Sequence, residues 1–159
     1  VNKIELIITE CKRQGVVSIP QIAYVLATVE WETNKTFQPV VESYWLKNPD
    51  QYNKINHPNY YPYYGRGYVQ LTWRRNYKFF SDLLKKDLVR YPELVLDPEI
   101  AAFILVYGMK NGSFTGKKLD HYINDGGSDY RSARRIINGI DKHNEIAKIA
   151  KSWEIKLNV

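Results

Sequence analysis

Residues 61–77 read YPYYGRGYVQLTWRRNY. The stretch is too polar for a core and too aromatic for a solvated linker, because it sets tyrosines and a tryptophan beside two closely spaced glycines, three arginines, Gln70, Thr72 and Asn76. Segments of this kind usually touch a ligand, since each tyrosine offers apolar area together with a hydroxyl. Residues 68–73 alternate at the two-residue period of a strand, which sends Tyr68, Gln70 and Thr72 to one face and Val69, Leu71 and Trp73 to the other. The expectation is a strand with one face on the core and one presenting hydrogen-bonding groups; the plainer alternative is an edge strand with an idle polar face. Gly65 and Gly67 flank Arg66, a pattern that suits a sharp bend where residues without Cβ allow positive φ or close backbone approach.

Working outward, the 159 residues fit one domain long enough to bury a core. Hydrophobic content of 44% and charged content of 25% exclude a disordered or low-complexity chain. The aromatic share of 14%, with 13 Tyr and 4 Trp, suits flat or amphipathic ligands such as sugars or bases. A net charge of +6 favours nucleic acid, anionic lipid or bacterial cell wall as surroundings, without choosing among them. The lysines and arginines are scattered over several predicted helices and no nucleic-acid motif is present, which argues against nucleic acid. Cys11 stands alone, so no internal disulfide forms, as befits folding in a reducing compartment. No stretch has the apolar length of a membrane span, and the residues after Val1 lack the layout of a secretory signal. His57, His121 and His143 are far apart in sequence and have no ligand-like spacing, so neither metal nor cofactor is expected.

Helical periodicity organises both ends of the chain. Ile4, Ile7, Ile8 and Cys11 share a face in a helix over residues 3–14 that Gly15 ends, which makes Cys11 a small core residue. Ser18 is expected to cap a second helix with Pro20 in its first turn and Gln21 completing a capping box, and this helix buries Ile22, Val25, Leu26 and Val29. Residues 34–64, rich in Asn, Pro and Tyr, read as irregular. Downstream, Tyr77, Phe80, Leu83 and Leu84 share a face. Asp97-Pro98-Glu99 opens a helix buried through Ile100, Ala101, Ile104 and Leu105 and closed by Gly112. A loop with a short helical piece covers residues 111–127, Ser128 caps an arginine-bearing helix, and a last helix buries Ile146, Ile149, Ala150 and Trp153 while Lys148, Lys151 and Lys156 stay outside.

The second helix carries Glu30 and Glu32. Two residues differ by about 200° of helical rotation, so only one of these carboxylates can face a given cleft, and periodicity does not say which. At the buried edge of an apolar helix a glutamate would be pushed toward its neutral form, as a general acid requires; a solvated pair is the commoner fate. Glu42 lies in the irregular segment beside Tyr44 and Trp45. Two carboxylates across a cleft with rings nearby form the constellation of a glycosidase, one to protonate the leaving oxygen and one to activate water.

Four motifs in order carry a family resemblance. The run YYGRGYVQLTWRRNY is similar to the signature of glycoside hydrolase family 19, the chitinase group that includes many phage and prophage endolysins, in which a Tyr-Gly-Arg-Gly turn precedes a Gln-x-Ser/Thr strand and an Asn-Tyr. VEWET resembles that family's His-Glu-Thr helix, QPVVESYWL the loop with its second glutamate, and ARRIING its Ile-Asn-Gly. DLVRYPELVLDPEIA and GMKNGSFTGKKL resemble the endolysin branch. Trp31 stands where the family usually has histidine, Asn34 and Lys35 replace common glycines, and Ile140-Asp141-Lys142 lacks the second glycine of the plant enzymes.

The resemblance implies a mainly α, lysozyme-like, two-lobed helical domain spanning the whole chain, with a small β-sheet at the cleft. It implies hydrolysis of β-1,4 bonds in an N-acetylated polysaccharide by an inverting two-glutamate mechanism. Glu32 matches the general acid and Glu42 the base of short-loop endolysins; Thr72 matches the hydroxyl that holds the attacking water, and Tyr64, Gln70, Asn76 and Asn138 fall among the sugar-binding positions. Arg66 is expected to brace the glycine turn. The expected substrate is peptidoglycan, cut by a monomeric muramidase held in the host cytoplasm until release to the wall, with weak attraction to the anionic envelope. Chitin is the alternative, and a non-catalytic glycan-binding module the second alternative.

Overall fold

The computed structural model describes residues 2–159. Seven α-helices and four two-residue strands alternate with two short 3-10 helices among those residues. The chain divides into two compact units: one runs up to Phe37 and resumes over Ala102–Val159, and the other is the uninterrupted segment Gln38–Ala101.

In the first unit, α1 (Lys3–Arg13) begins at Asn2, whose side chain accepts from the amides of Ile4 and Glu5, and it ends at Gly15 with φ +85°. Its buried residues are Ile7, Glu10 and Cys11. The helix α2 (Ile19–Glu32) is the centre of the unit: every side chain from Ile22 to Val29 is buried, Thr28 included. It packs most extensively on α7 (His143–Leu157), whose Ile146, Ala147 and Ala150 are buried. Continuous burial of this kind differs from a one-sided stripe and is what a helix at the middle of a core must have. Ser18 caps α2 through Gln21 N at 3.3 Å, as expected. The reciprocal half of the capping box is absent, because the Gln21 amide donates instead to Asp120 Oδ1 and Ile123 O, both at 2.7 Å.

Two further readings change in this unit. The short α6 (Leu119–Tyr122) leads into a hairpin of β3 (Ile123–Asn124) and β4 (Gly127–Ser128). Ser128 therefore sits in a strand and caps nothing. Asp129 takes its place, accepting from Ser132 N at 3.1 Å at the start of the 3-10 helix Ser132–Ile136; that backbone bond, with a bond to the Ser132 side chain, holds its carboxyl below the usual range.

The second unit holds β1 (Val40–Val41), α3 (Pro49–Asn56), β2 (Arg66–Gly67), α4 (Arg74–Leu84) and the 3-10 helix Pro92–Leu96. The helix α3 corrects the irregular reading of residues 34–64. Asn48 caps it by accepting from Gln51 N at 3.1 Å, Pro49 takes the first turn, and its one buried residue is Asn53. On α4, Tyr77 and Phe80 are buried as expected, but Leu83 is 41% exposed and the buried leucine is Leu88 beyond the helix end. The helix α5 (Pro98–Asn111) starts as predicted, with Asp97 Oδ1 accepting from Glu99 N at 2.9 Å, and Gly112 follows it with φ +79°.

The strand expected over residues 68–73 is a hairpin turn. Arg66 and Leu71 exchange backbone hydrogen bonds at 3.2 and 2.9 Å, so the chain reverses over residues 67–70. Gly67 with φ +98° and Gln70 with φ +60° make the reversal, and it buries both Tyr68 and Leu71, which an alternating strand would have sent to opposite faces. What remains strand is Arg66–Gly67, paired antiparallel with Val41 and Val40. A Cβ on Gly65 would meet Gln70 Oε1 at 2.7 Å and Gln70 Cβ at 3.0 Å, so a side chain there would displace Gln70 from its place, while the φ of +98° at Gly67 is one that favours glycine.

Candidate active site

The two glutamates singled out by the sequence stand in different units, and each is held by partners of its own unit. Glu32 ends α2. Its Oε1 accepts from Arg134 Nη2 at 2.8 Å, and Arg134 is 2% exposed. Arg134 also donates from Nε to Asp141 O at 2.8 Å, while Nη1 is buried with no hydrogen-bond partner. The guanidinium thus reaches from its 3-10 helix both to the carboxylate and to the following turn. The setting of Glu32 is an ion pair, not the apolar edge that the sequence suggested. Glu30, on the other side of α2, accepts from Trp153 Nε1 at 3.0 Å and ties α2 to α7.

Glu42 follows β1 and is held along its whole length. Its backbone N donates to Gly65 O at 2.7 Å, and its carbonyl accepts from the buried Asn53 side chain at 2.8 Å. Oε1 accepts from Gly65 N at 2.9 Å, Oε2 accepts from the Tyr60 hydroxyl at 2.7 Å, and His57 Nε2 lies 3.2 Å from Oε2. Burial and the bond to Glu42 raise the Tyr60 phenol above its ordinary range, so it remains a donor at any working pH. Ser43, next in sequence, adopts φ +67° and donates to Asn53 Oδ1 at 3.2 Å. A non-glycine residue in that conformation costs about 1–3 kcal/mol and persists only where its surroundings enforce it.

The hairpin side chains belong to the same unit as Glu42. Thr72 Oγ1 donates to Gln70 O at 2.9 Å, Gln70 Nε2 donates to Val40 O at 2.9 Å, and Asn76 Nδ2 donates to Thr72 O at 2.7 Å. All three are half-buried. Tyr64 is 5% exposed and its hydroxyl donates to Asp50 Oδ1 at 3.0 Å, with the Arg66 guanidinium 3.9 Å from its ring centroid. Arg66 braces the turn as expected: from a buried position its Nη1 donates to Pro62 O at 2.9 Å and to the Tyr77 hydroxyl at 3.0 Å. Asn138 is in the other unit, exposed, with its backbone N donating to Arg134 O at 2.9 Å. The structure therefore groups Glu42 with Tyr64, Gln70, Thr72 and Asn76, and Glu32 with Asn138.

Comparison with solved structures shows chitinase C from Streptomyces griseus HUT6037 at 25% identity and TM-score 0.61, covering 84% of this chain and 73% of that one. A bacterial family 19 chitinase aligns at 24% identity and TM-score 0.63, covering 93% of this chain and 84% of that one. The chain has a family 19 chitinase-like fold. Chitinase 11 of Oryza sativa subsp. japonica is 41% identical over 66 residues, which span 37% of this chain and 26% of the rice protein, about a quarter of its length. No family model matches the sequence.

Within this chitinase-like fold the sequence left several site groups unread. Arg134 lay within the quoted ARRIING run but pointed to no role, and nothing in periodicity sets it opposite a carboxylate 102 residues earlier. Tyr60 and His57 were missed for the same reason. The one available hint was composition, since HPNYYPYY concentrates ring donors directly ahead of the glycine turn. Trp73, with φ +77° and 38% exposed, carries a ring that meets Tyr60 edge-on at 5.1 Å. Among the described residues, no group of three or more His, Cys, Asp or Glu is arranged to hold a metal ion, and no helix is long and apolar enough to cross a membrane.

Proposed function

We propose that this chain hydrolyses β-1,4 glycosidic bonds of an N-acetylglucosamine-containing polysaccharide, with Glu32 as general acid and Glu42 as general base. The observation that carries the reading is the fixing of Glu42 by donors on both carboxylate oxygens, at 2.9 Å from Gly65 N and 2.7 Å from the Tyr60 hydroxyl. A carboxylate that serves only solubility needs no such cradle, whereas a base must be aimed at its water before the bond breaks. In the reaction Glu32 gives its proton to the leaving oxygen as the glycosidic bond breaks, and Glu42 takes a proton from the water that attacks the anomeric carbon from the opposite face. Thr72 hydrogen-bonds that water. Gln70, Asn76 and Asn138 line the sugar positions, and Arg134 orients Glu32; Tyr64, expected among the sugar contacts, is instead buried with its hydroxyl on Asp50 and supports the glycine turn from within.

For the substrate we propose peptidoglycan, cut at the muramic acid linkage by a monomeric endolysin that waits in the host cytoplasm and is released to the wall. The +6 charge supports this reading, since it attracts the chain to an anionic wall, and the attraction weakens with salt. Chitin is the second reading, favoured by the names of the similar proteins, which are chitinases. The test is turbidity clearing of outer-membrane-permeabilised Gram-negative cells run beside a soluble chitin-oligomer assay, each with wild type and Glu32→Gln, with mass spectrometry of the fragments. Clearing that depends on Glu32 and yields reducing muramic acid ends supports the muramidase. Chitin cleavage without clearing makes the chain a chitinase, and activity in neither assay leaves a glycan-binding module.

A further inference from the structure

We infer that His57 is a positioning residue for Glu42 whose protonation state sets how readily that carboxylate takes a proton from water; the inference rests on the reading of Glu42 as the base. His57 is the C-cap of α3, where its backbone N donates to Asn53 O at 2.8 Å, so the ring is delivered from the same helix whose Asn53 clamps the Glu42 carbonyl. Its Nε2 lies 3.2 Å from Glu42 Oε2, the oxygen that also accepts from Tyr60. The imidazole stacks on the Tyr60 ring, with centroids 5.3 Å apart and planes 15° from parallel, and meets Tyr52 edge-on at 6.1 Å. Two side chains that converge on one carboxylate oxygen are thus locked to each other face to face.

The charged and titratable groups around the imidazole are few. Glu42, Tyr60 and Tyr52 face it; on α3, Asp50 is engaged by the hydroxyls of Tyr61 and Tyr64, and Lys54 is exposed. Arg75 stands one ring further out, over Trp73 at 5.2 Å. A neutral imidazole protonated at Nε2 donates a hydrogen bond and adds no charge. An imidazolium in the same place makes a charge-assisted bond, and a carboxylate beside a full positive charge accepts a proton from water less readily. Protonation of the ring therefore lowers turnover as the medium becomes acidic, through the charge it sets beside Glu42 Oε2.

The test is the pH dependence of kcat and KM between pH 4.5 and 9 on whichever glycan the wild type cleaves, solubilised peptidoglycan or chitin hexamer, for wild type, His57→Gln, His57→Phe and Glu42→Gln. The wild type is expected to lose turnover on the acid side through a limb that depends on His57. His57→Gln keeps a neutral donor, so it holds kcat within about threefold of wild type at pH 8 and lacks that limb. His57→Phe keeps a ring to stack but no donor, and its kcat at pH 8 falls at least tenfold with KM within twofold. A limb that persists unchanged in His57→Gln, or a His57→Phe kcat equal to wild type, overturns the inference. The limb is read from the Gln variant alone, so poor folding of the Phe variant leaves the test standing. Turnover retained by Glu42→Gln instead overturns the base assignment itself, and the inference with it.

Discussion

Arg134 Nη2 donates to Glu32 Oε1 at 2.8 Å, and the guanidinium that does so is 2% exposed while the carboxylate side chain keeps 19% of its surface open. The Glu32 carboxylate is therefore held by a buried guanidinium on one side and partly open on the other. This single charge-assisted bond fixes the position of one carboxylate oxygen, Oε1.

Glu32→Gln removes the transferable proton and keeps an oxygen for Arg134. The expected result is a loss of kcat of about 100-fold to 10,000-fold with glycan binding retained. The melting temperature should fall by only a few degrees, equivalent to about 1–2 kcal/mol for a buried hydrogen bond to a charged group. More than a few percent of wild-type turnover in this variant would refute the assignment of the acid.

Arg134→Ala strips Glu32 of its partner and empties a buried volume, with an expected cost of about 3–5 kcal/mol in urea unfolding. Arg134→Met restores the volume and should recover part of that stability but none of the activity. Full activity in the methionine variant would show that the pair serves folding alone.

Product stereochemistry tests the mechanism directly. An inverting pair leaves room for a water, with the carboxyl groups roughly 6.5–9.5 Å apart, while a retaining pair stands near 5–5.5 Å. Proton NMR of the first seconds of hydrolysis should show the α-anomer accumulating before mutarotation. Initial release of the β-anomer would mean retention and a nucleophilic or substrate-assisted route.

Thr72→Ala should lower kcat at least tenfold while costing about 1 kcal/mol, since the hydroxyl makes one partly buried bond, to Gln70 O at 2.9 Å. A fall in melting temperature of ten degrees or more would assign Thr72 to holding the hairpin.

Cys11 is fully buried, and burial, with the nearby Glu10 charge, pushes its thiol up to about 12. Native protein at pH 8 should resist thiol reagents until it unfolds. The sign of the alkaline effect follows: the unfolded thiol ionises from its ordinary value of about 8.5 while the native one stays protonated, so stability declines as pH rises between about 9 and 12. That single group contributes a slope of about 1.4 kcal/mol per pH unit. Urea unfolding of wild type and Cys11→Ala at pH 8, 9 and 10 should show the wild-type slope shrinking in the variant.

The helices α1, α2, α5 and α7 were legible because apolar side chains recur at helical spacing, and Ser18 and Asp97 mark two of the starts. The helix α3 was not, because PDQYNKIN buries an asparagine and no apolar residue, and polar burial leaves no periodic trace. The hairpin after Arg66 imitated a strand in its alternation of Tyr68, Gln70 and Thr72. What turns it is positive φ at Gln70, a conformation that a glutamine in sequence does not announce. The glutamates and Thr72 were proposed from motif order, whereas their holders depend on tertiary neighbours: Tyr60 is 18 residues from Glu42 and Arg134 is 102 from Glu32.

Everything that grips Glu42 is written between Gln38 and Ala101, while Glu32 depends on a residue supplied after the chain has returned to its first unit. A change at Arg134 therefore acts on Glu32 directly, whereas the partners that hold the Glu42 carboxylate, Gly65, Tyr60 and His57, all lie within the one uninterrupted segment. The two carboxylates thus draw their support from separate stretches of the chain, one of them closed only by a residue 102 positions away.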